Sequence, residues 1–124
     1  MTTDKKRVVA VLSDLIFRVK IQDAAKRAGM DAVFVNSQQA ALAQAQQQPA
    51  LIILDLNDNA AKPLELIGQL KCAAETSKIN LLGYVSHVQV DVKQAAQERG
   101  CDIVLARSAF SRDLQAILQR CADL

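Results

Sequence analysis

LIILDLND, residues 51–58, is the stretch of this sequence that decides the fold. Four apolar residues lead directly to an acid, Asp55, and polar residues that favour a loop follow. A short continuous apolar run of this kind is typical of a strand buried on both faces, as in a parallel sheet between two layers of helices. Ligands of open α/β sheets collect outside the carboxyl ends of the strands. The pattern therefore predicts that Asp55 lies where a functional site would form.

The composition bounds the kind of protein. The 124 residues are the ordinary size of one domain, so we expect a single domain over residues 1–124 with no output domain. The net charge of +2, with acids and bases interspersed, gives no signal for nucleic acid or for an anionic membrane. No apolar run is long enough to span a membrane, and Cys72, Cys101 and Cys121 lack the spacing of a zinc site or a disulfide framework. We expect a reduced, cytoplasmic protein.

Apolar strand patterns and helical periodicity alternate along the whole chain. The predicted strands are residues 7–12, 31–36, the opening segment, 79–86 and 101–107. The first predicted helix ends at Gly29, the second is capped by Asn36, the third has Pro63 near its first turn, the fourth ends at Gly100 and the fifth is capped by Ser111. Strict alternation with short connections predicts an α/β fold, a doubly wound parallel sheet of five strands with helices on both faces.

The carboxyl ends of the predicted strands carry a small set of polar side chains. After the first strand come Ser13 and Asp14; Asp55, Ser86 with His87, and Arg107 end the third, fourth and fifth strands. If these ends converge, one edge of the sheet holds carboxylates, a hydroxyl and a guanidinium. Such a site could hold an anion beside a carboxylate.

Other kinds of site are disfavoured by what the sequence lacks. No glycine follows the first strand, where a dinucleotide fingerprint or a P-loop needs one to let the backbone approach phosphate. There is no G-x-S-x-G turn for a serine hydrolase. The single histidine, His87, has no second His or Cys at ligand spacing, so we do not expect it to bind a metal. We expect a protein that is not an enzyme.

Asp55, Ser86 and Arg107, on three successive strand ends of a chain of this length, resemble the receiver domain of two-component response regulators, the CheY-like family. The most specific pieces are LIILDLN, LELI nine residues beyond the acid, GYVSH and QERGCDIVLARSAF. The resemblance covers essentially the whole chain. It implies the flavodoxin-like strand order 2-1-3-4-5.

The resemblance also implies a role for each residue. Asp55 matches the aspartate that accepts a phosphoryl group from a histidine kinase as an acyl phosphate. Ser86 matches the hydroxyl residue that moves to the phosphoryl group, and Arg107 falls at the family's lysine. Asn57 matches the residue whose backbone carbonyl helps to bind Mg²⁺, and Asp14 and Asp55 are the candidate carboxylate ligands.

The sequence departs from the family pattern at the metal site. Receiver domains carry two adjacent acids after the first strand, but here those positions fall on Leu12 and Ser13, and Asp14 lies one residue late. Losing one or both acids weakens a Mg²⁺ site considerably. Arg107 keeps the charge of the usual lysine but presents a wide planar fork. The resemblance is therefore to a degenerate receiver.

Several functions stay open at this point. In the first, a sensor histidine kinase or a phosphotransfer protein phosphorylates Asp55 and so switches the binding of a downstream partner. In the second, the chain is a pseudo-receiver, an interaction or dimerisation module without phosphoryl chemistry, and Asp55 and Arg107 form an ion pair that only stabilises the strand ends. For both, we expect the partner or a second copy to bind the face of the fourth helix, fifth strand and fifth helix. A small-anion or nucleotide binder using Arg107 is a third alternative. The orientation of the Asp14 side chain distinguishes the first two functions. If it points toward Asp55, a metal site survives; if it points toward solvent, the pseudo-receiver interpretation is favoured.

Overall fold

The computed structural model describes residues 6–86 and 90–123, in which five strands alternate with five α-helices. The strands are β1 (Arg7–Val11), β2 (Asp31–Val35), β3 (Leu51–Asp55), β4 (Asn80–Val85) and β5 (Ile103–Ala106). The helices are α1 (Leu15–Ala28), α2 (Gln38–Ala45), α3 (Pro63–Cys72), α4 (Val90–Glu98) and α5 (Arg107–Asp123), and a 3-10 turn, Asn59–Ala61, precedes α3. His87 lies outside the described residues. None of the helices within them is long and apolar enough to cross a membrane.

All five strands are parallel, in the order β2-β1-β3-β4-β5. The predicted α/β fold, a doubly wound sheet with this strand order, is confirmed. In the register of the sheet, Asp55 of β3 lies beside Tyr84 of β4. The carboxyl ends of the strands meet at one edge because every connection returns the chain through a helix.

The two faces of the sheet are covered by different helices. Apolar residues of α1 and α5, among them Phe17, Ile21, Leu114 and Leu118, pack on one face together with Ile53 of β3. The helices α2, α3 and α4 cover the other face. Side chains alternate between faces along a strand, so Asp55 lies on the same face as Ile53. The candidate phosphoacceptor is thus on the α1 and α5 side of the sheet.

The start of α2 is one residue later than predicted. The cap is Ser37, whose hydroxyl accepts a hydrogen bond from the Ala40 N–H at 3.1 Å. The predicted cap, Asn36, is wrong. Ser37 is the residue directly before the helix, and its hydroxyl reaches the N–H groups of the first turn. The predicted end of α1 is confirmed, since Gly29 has a φ of 75° and closes that helix.

The start of α5 is earlier than predicted. Arg107 is the first residue of this helix, not the last residue of β5, and Ser111 lies inside the helix. The predicted Ser111 cap is wrong because Phe110 extends the buried stripe of Leu114 and Leu118 by one turn. The hydroxyl of Ser111 instead accepts a hydrogen bond from Lys20 Nζ of α1 at 3.0 Å.

We predict opposite effects for the same substitution at Gly83 and Gly68. A Cβ on Gly83, inside β4, would lie 2.8 Å from Cδ1 and 2.9 Å from Cγ of the buried Leu56. Gly83→Ala should therefore lower the free energy of unfolding by about 1–3 kcal/mol. Nothing lies within 4 Å of a Cβ on Gly68 in α3, so Gly68→Ala should raise it by about 0.5–1 kcal/mol.

Urea denaturation of both variants and the parent measures these free energies. Destabilisation by Gly68→Ala equal to that by Gly83→Ala would contradict the steric explanation.

Candidate functional site

Three acids and one base converge at the carboxyl edge of the sheet, and we call this group, Asp14, Asp55, Asp58 and Arg107, the rim. Arg107 forms an ion pair with Asp14. The charges of Asp58, Arg107 and Asp14 all act on the carboxyl group of Asp55. The structure therefore brings Asp14, Asp55 and Arg107 to the same edge of the sheet, and their roles in a site stay predictions. Asp58 was not predicted as a member.

Asp55, the last residue of β3, is partly buried. Its Oδ1 accepts a hydrogen bond from the Asn57 N–H at 3.0 Å. Burial raises the pKa of Asp55, the Asn57 hydrogen bond opposes this rise, and the net direction is upward from the ordinary value of 3.8. The neighbouring charges of Asp58 and Asp14 raise the pKa further, whereas that of Arg107 lowers it. The surroundings of Asp55 therefore disfavour the charged form of its carboxyl group.

Asn57 and Ser86 join two of the loops beside the rim. The side-chain Oδ1 of Asn57 accepts a hydrogen bond from the Ser86 N–H at 2.7 Å. The sequence predicted a role only for the backbone carbonyl of Asn57, as a Mg²⁺ ligand. The contact of its side chain with Ser86 was not predicted. Ser86, exposed at the end of β4, is thereby tied to the segment that follows Asp55.

Asp14 has both carboxylate oxygens engaged. Its Oδ1 caps α1 by accepting hydrogen bonds from the N–H groups of Ile16 at 2.8 Å and Phe17 at 3.2 Å. Its Oδ2 accepts a hydrogen bond from Arg107 Nη2. The sequence left two orientations open for Asp14, toward Asp55 or toward solvent. The structure shows neither, because the start of α1 and the Arg107 guanidinium hold the side chain.

Arg107 pairs with Asp14 and not with Asp55, so the expected Asp55–Arg107 ion pair is wrong. The reason is that α1 and α5 are neighbours on the same face of the sheet, and Arg107 starts α5 close to the start of α1. The carbon at the centre of its guanidinium lies 4.5 Å from the centroid of the Phe17 ring. The side chain is therefore held by an ion pair and a cation–π contact together.

The groups selected as Mg²⁺ ligands do not fit a divalent ion in this arrangement. The candidates are Asp14, Asp55 and the backbone carbonyl of Asn57. Mg²⁺ demands near-octahedral coordination by oxygens, but Asp14 is occupied by the α1 cap and by a guanidinium that already supplies positive charge. Within residues 6–86 and 90–123, no group of three or more His, Cys, Asp or Glu side chains could hold a metal ion.

An aromatic cluster beneath the rim was not predicted. Tyr84 stacks on Phe17 and Phe110, with ring centroids 5.1 Å and 4.7 Å away. Its buried hydroxyl has no hydrogen-bond partner among the described residues. Burial raises the pKa of Tyr84 well above its usual range, and the charges of Asp55 and Asp14 add to the rise. The sequence signal for this cluster is the single tyrosine in an otherwise aliphatic strand, two residues before Ser86.

We predict that Tyr84→Phe stabilises the protein. A buried hydroxyl without a partner loses its hydration on folding and gains nothing in return, so its removal should raise the free energy of unfolding by about 1 kcal/mol. Tyr84→Leu is the control, because it also removes the stacked ring and should destabilise by more than about 1 kcal/mol. Chemical denaturation distinguishes them, and a loss of stability in Tyr84→Phe would show that the hydroxyl is hydrogen-bonded in solution.

We also predict a pH-dependent effect of Asp55→Asn. The raised pKa of Asp55 means that the folded protein binds more protons than the unfolded chain just above the ordinary value of 3.8. The free energy of unfolding therefore falls as the pH rises through this interval. Because asparagine carries no charge and still accepts the Asn57 hydrogen bond, Asp55→Asn should be more stable than the parent at neutral pH.

This gain should disappear below the ordinary pKa of 3.8, where the carboxyl group is protonated in both states. Denaturation curves in a chelator at a series of pH values provide the measurement. A variant less stable than the parent at neutral pH would show that Asp55 is favoured in its charged form.

Comparisons with solved structures agree with this architecture. A response regulator from Hahella chejuensis has 22% sequence identity, covers 94% of this chain and 95% of its own, and superposes with a TM-score of 0.84. The chemotaxis response regulator CheY4 of Vibrio cholerae has 21% identity over 95% of this chain and 99% of its own, with a TM-score of 0.81. No protein-family model matches the sequence, and no curated protein does.

A third structure bears on the metal question. The receiver domain of the sensor histidine kinase PA1611 from Pseudomonas aeruginosa has a magnesium ion coordinated in its active site cleft. It has 15% identity to this chain, covers 98% of it and 100% of its own length, and has a TM-score of 0.81. At these identities the similarity establishes the fold: this chain has the CheY-like fold of response regulator receiver domains.

Proposed function

We propose that this chain, which has the receiver fold, is a signalling module of the two-component type that acts by binding a protein partner. The observation that carries the proposal is the position of Asp55 at the carboxyl end of the central strand, with Ser86 at the end of β4 and Arg107 directly after β5. These are the residues that the sequence resemblance assigns to the receiver pattern, and the receiver fold of the chain supports that assignment. The partner is a downstream protein or a second copy of the chain.

The first candidate mechanism is phosphorylation of Asp55. A sensor histidine kinase or a phosphotransfer protein would supply the phosphoryl group: a carboxylate oxygen of Asp55 attacks phosphorus, the bond to the donor nitrogen breaks, and an acyl phosphate forms. The hydroxyl of Ser86 and the guanidinium of Arg107 would then contact the phosphoryl oxygens. The partial exposure of Asp55 supports access to such a donor.

The second candidate is binding without phosphorylation, and the charges of the rim favour it. The rim has three carboxylates and one guanidinium, so a doubly charged phosphoryl group would enter a site that is already negative. The guanidinium that would have to compensate for it is committed to Asp14. The α4, β5 and α5 face is the expected binding surface, and on it the edge-strand residue Ile103 is 48% exposed.

Intact mass after incubation with acetyl phosphate and Mg²⁺, with Asp55→Asn as the matched control, distinguishes the two candidates. We expect no phosphoryl adduct on the parent above the level in the variant, since Asp14 is engaged by the α1 cap and by Arg107 and is not free to bind the added Mg²⁺. Fluoroberyllate, a mimic of the acyl phosphate, should leave the melting temperature unchanged. An adduct present in the parent and absent in Asp55→Asn would establish the first candidate and reject the second.

A further inference from the structure

Arg107 is held at the rim by contacts on two sides. Its Nη2 donates a hydrogen bond to Asp14 Oδ2, and its guanidinium lies over the ring of Phe17. The planar guanidinium can stack on a ring and pair with a carboxylate at the same time, which a lysine ammonium cannot do as well. The cation is therefore preorganised in this position.

Asp14 has no free oxygen with which to bind a second cation. One oxygen accepts two backbone N–H groups of α1, and the other accepts the guanidinium. A divalent ion that used Asp14 would have to uncap the helix or displace Arg107. Arg107 is a cation, so it competes with the divalent ion for the negative charge of Asp14. The backbone N–H groups of α1 carry no net charge.

Asp55 shares the edge of the sheet with Asp14. It ends β3, the strand that pairs with β1, and Asp14 follows β1. The guanidinium of Arg107 supplies positive charge at this edge. An arginine side chain keeps its charge at every pH that proteins survive, whereas a bound metal ion can be removed by a chelator.

We propose that Arg107 is the resident counter-ion of the rim, taking the place of a divalent metal beside Asp14 and Asp55. The positive charge of the rim is then independent of metal ions. Without Arg107, the carboxylates of Asp14 and Asp55 offer hard oxygen ligands, which Mg²⁺ and Mn²⁺ prefer. This inference holds for either candidate function, because it concerns the resting rim and not the phosphoryl chemistry.

Direct titration with Mn²⁺, with the free ion followed by electron paramagnetic resonance, tests the inference on the full chain. The parent should show no saturable binding up to about 10 mM Mn²⁺. Arg107→Gln should bind Mn²⁺ at least about 10-fold more tightly than the parent, because the competing cation is gone. The double variant Arg107→Gln/Asp55→Asn should lose this gain.

The matched control is Arg112→Gln, which removes another arginine of α5 that pairs with an acid, Asp113, on the exposed surface. It should bind Mn²⁺ no better than the parent. Circular dichroism confirms that each variant is folded, and if Arg107→Gln is not, Arg107→Met replaces it because its apolar stem still packs on Phe17.

Two results would overturn the inference. Saturable binding of Mn²⁺ to the parent with the affinity of the Arg107 variant would show that the guanidinium does not exclude the metal. A folded Arg107 variant without any gain in affinity would show that the rim oxygens do not form a cation site. Neither result would depend on whether acetyl phosphate modifies Asp55, so the proposed function is tested separately.

Discussion

Burial of β3 on both faces is the constraint on which the rest of the structure depends. Its residues Ile52, Ile53 and Leu54 are completely buried, and each aliphatic side chain of this size contributes about 1.5–3 kcal/mol when it is removed from water. A strand can be buried in this way only if helices cover both faces of its sheet. The parallel order follows, because each strand must be connected to the next through a covering helix. The convergence of Asp55 and Arg107 at one edge is a consequence of that order.

Several charged side chains lie at the same edge of the sheet. Asp14 stabilises the starts of two helices there, α1 and α5. An acid at the start of α1 is favourable because the helix N-terminus carries partial positive charge, and this acid also caps the backbone N–H groups. Arg107 at the start of α5 lies at the unfavourable end of its own helix for a cation. The ion pair between them compensates for this position. It also removes Asp14 from the oxygens that a metal ion could use.

The aromatic residues are few, yet they are concentrated under the rim. Phe17, Tyr84 and Phe110 lie against one another in a core whose other buried residues are mostly aliphatic. The Arg107 guanidinium lies over the ring of Phe17, which the other two rings support. Among residues 6–86 and 90–123, the buried hydroxyl of Tyr84 has no hydrogen-bond partner, contrary to the usual rule that buried polar groups are paired. Arg107 is thus held at the rim by its contact with the Phe17 ring and by its ion pair with Asp14.

The sequence by itself determined the alternation of strands and helices, the strand order through its family resemblance, and the set of polar residues at the strand ends. These features follow from local patterns: the apolar run before Asp55, the glycine that ends α1 and the helical spacing of buried residues. Short-range patterns were less reliable at helix starts: Asn36 was predicted as the cap of α2, where Ser37 is the cap, and Ser111 was predicted as the cap of α5, although it lies inside that helix.

Only the tertiary structure decided which of the rim's charges pair. Arg107 and Asp14 are 93 residues apart in the chain, and their contact depends on α1 and α5 packing side by side on one face. Local sequence patterns do not contain this information, because the same residues on helices of opposite faces would not meet. Packing between elements that are distant in sequence also decides which of the described residues lie close enough to the Tyr84 hydroxyl to pair with it.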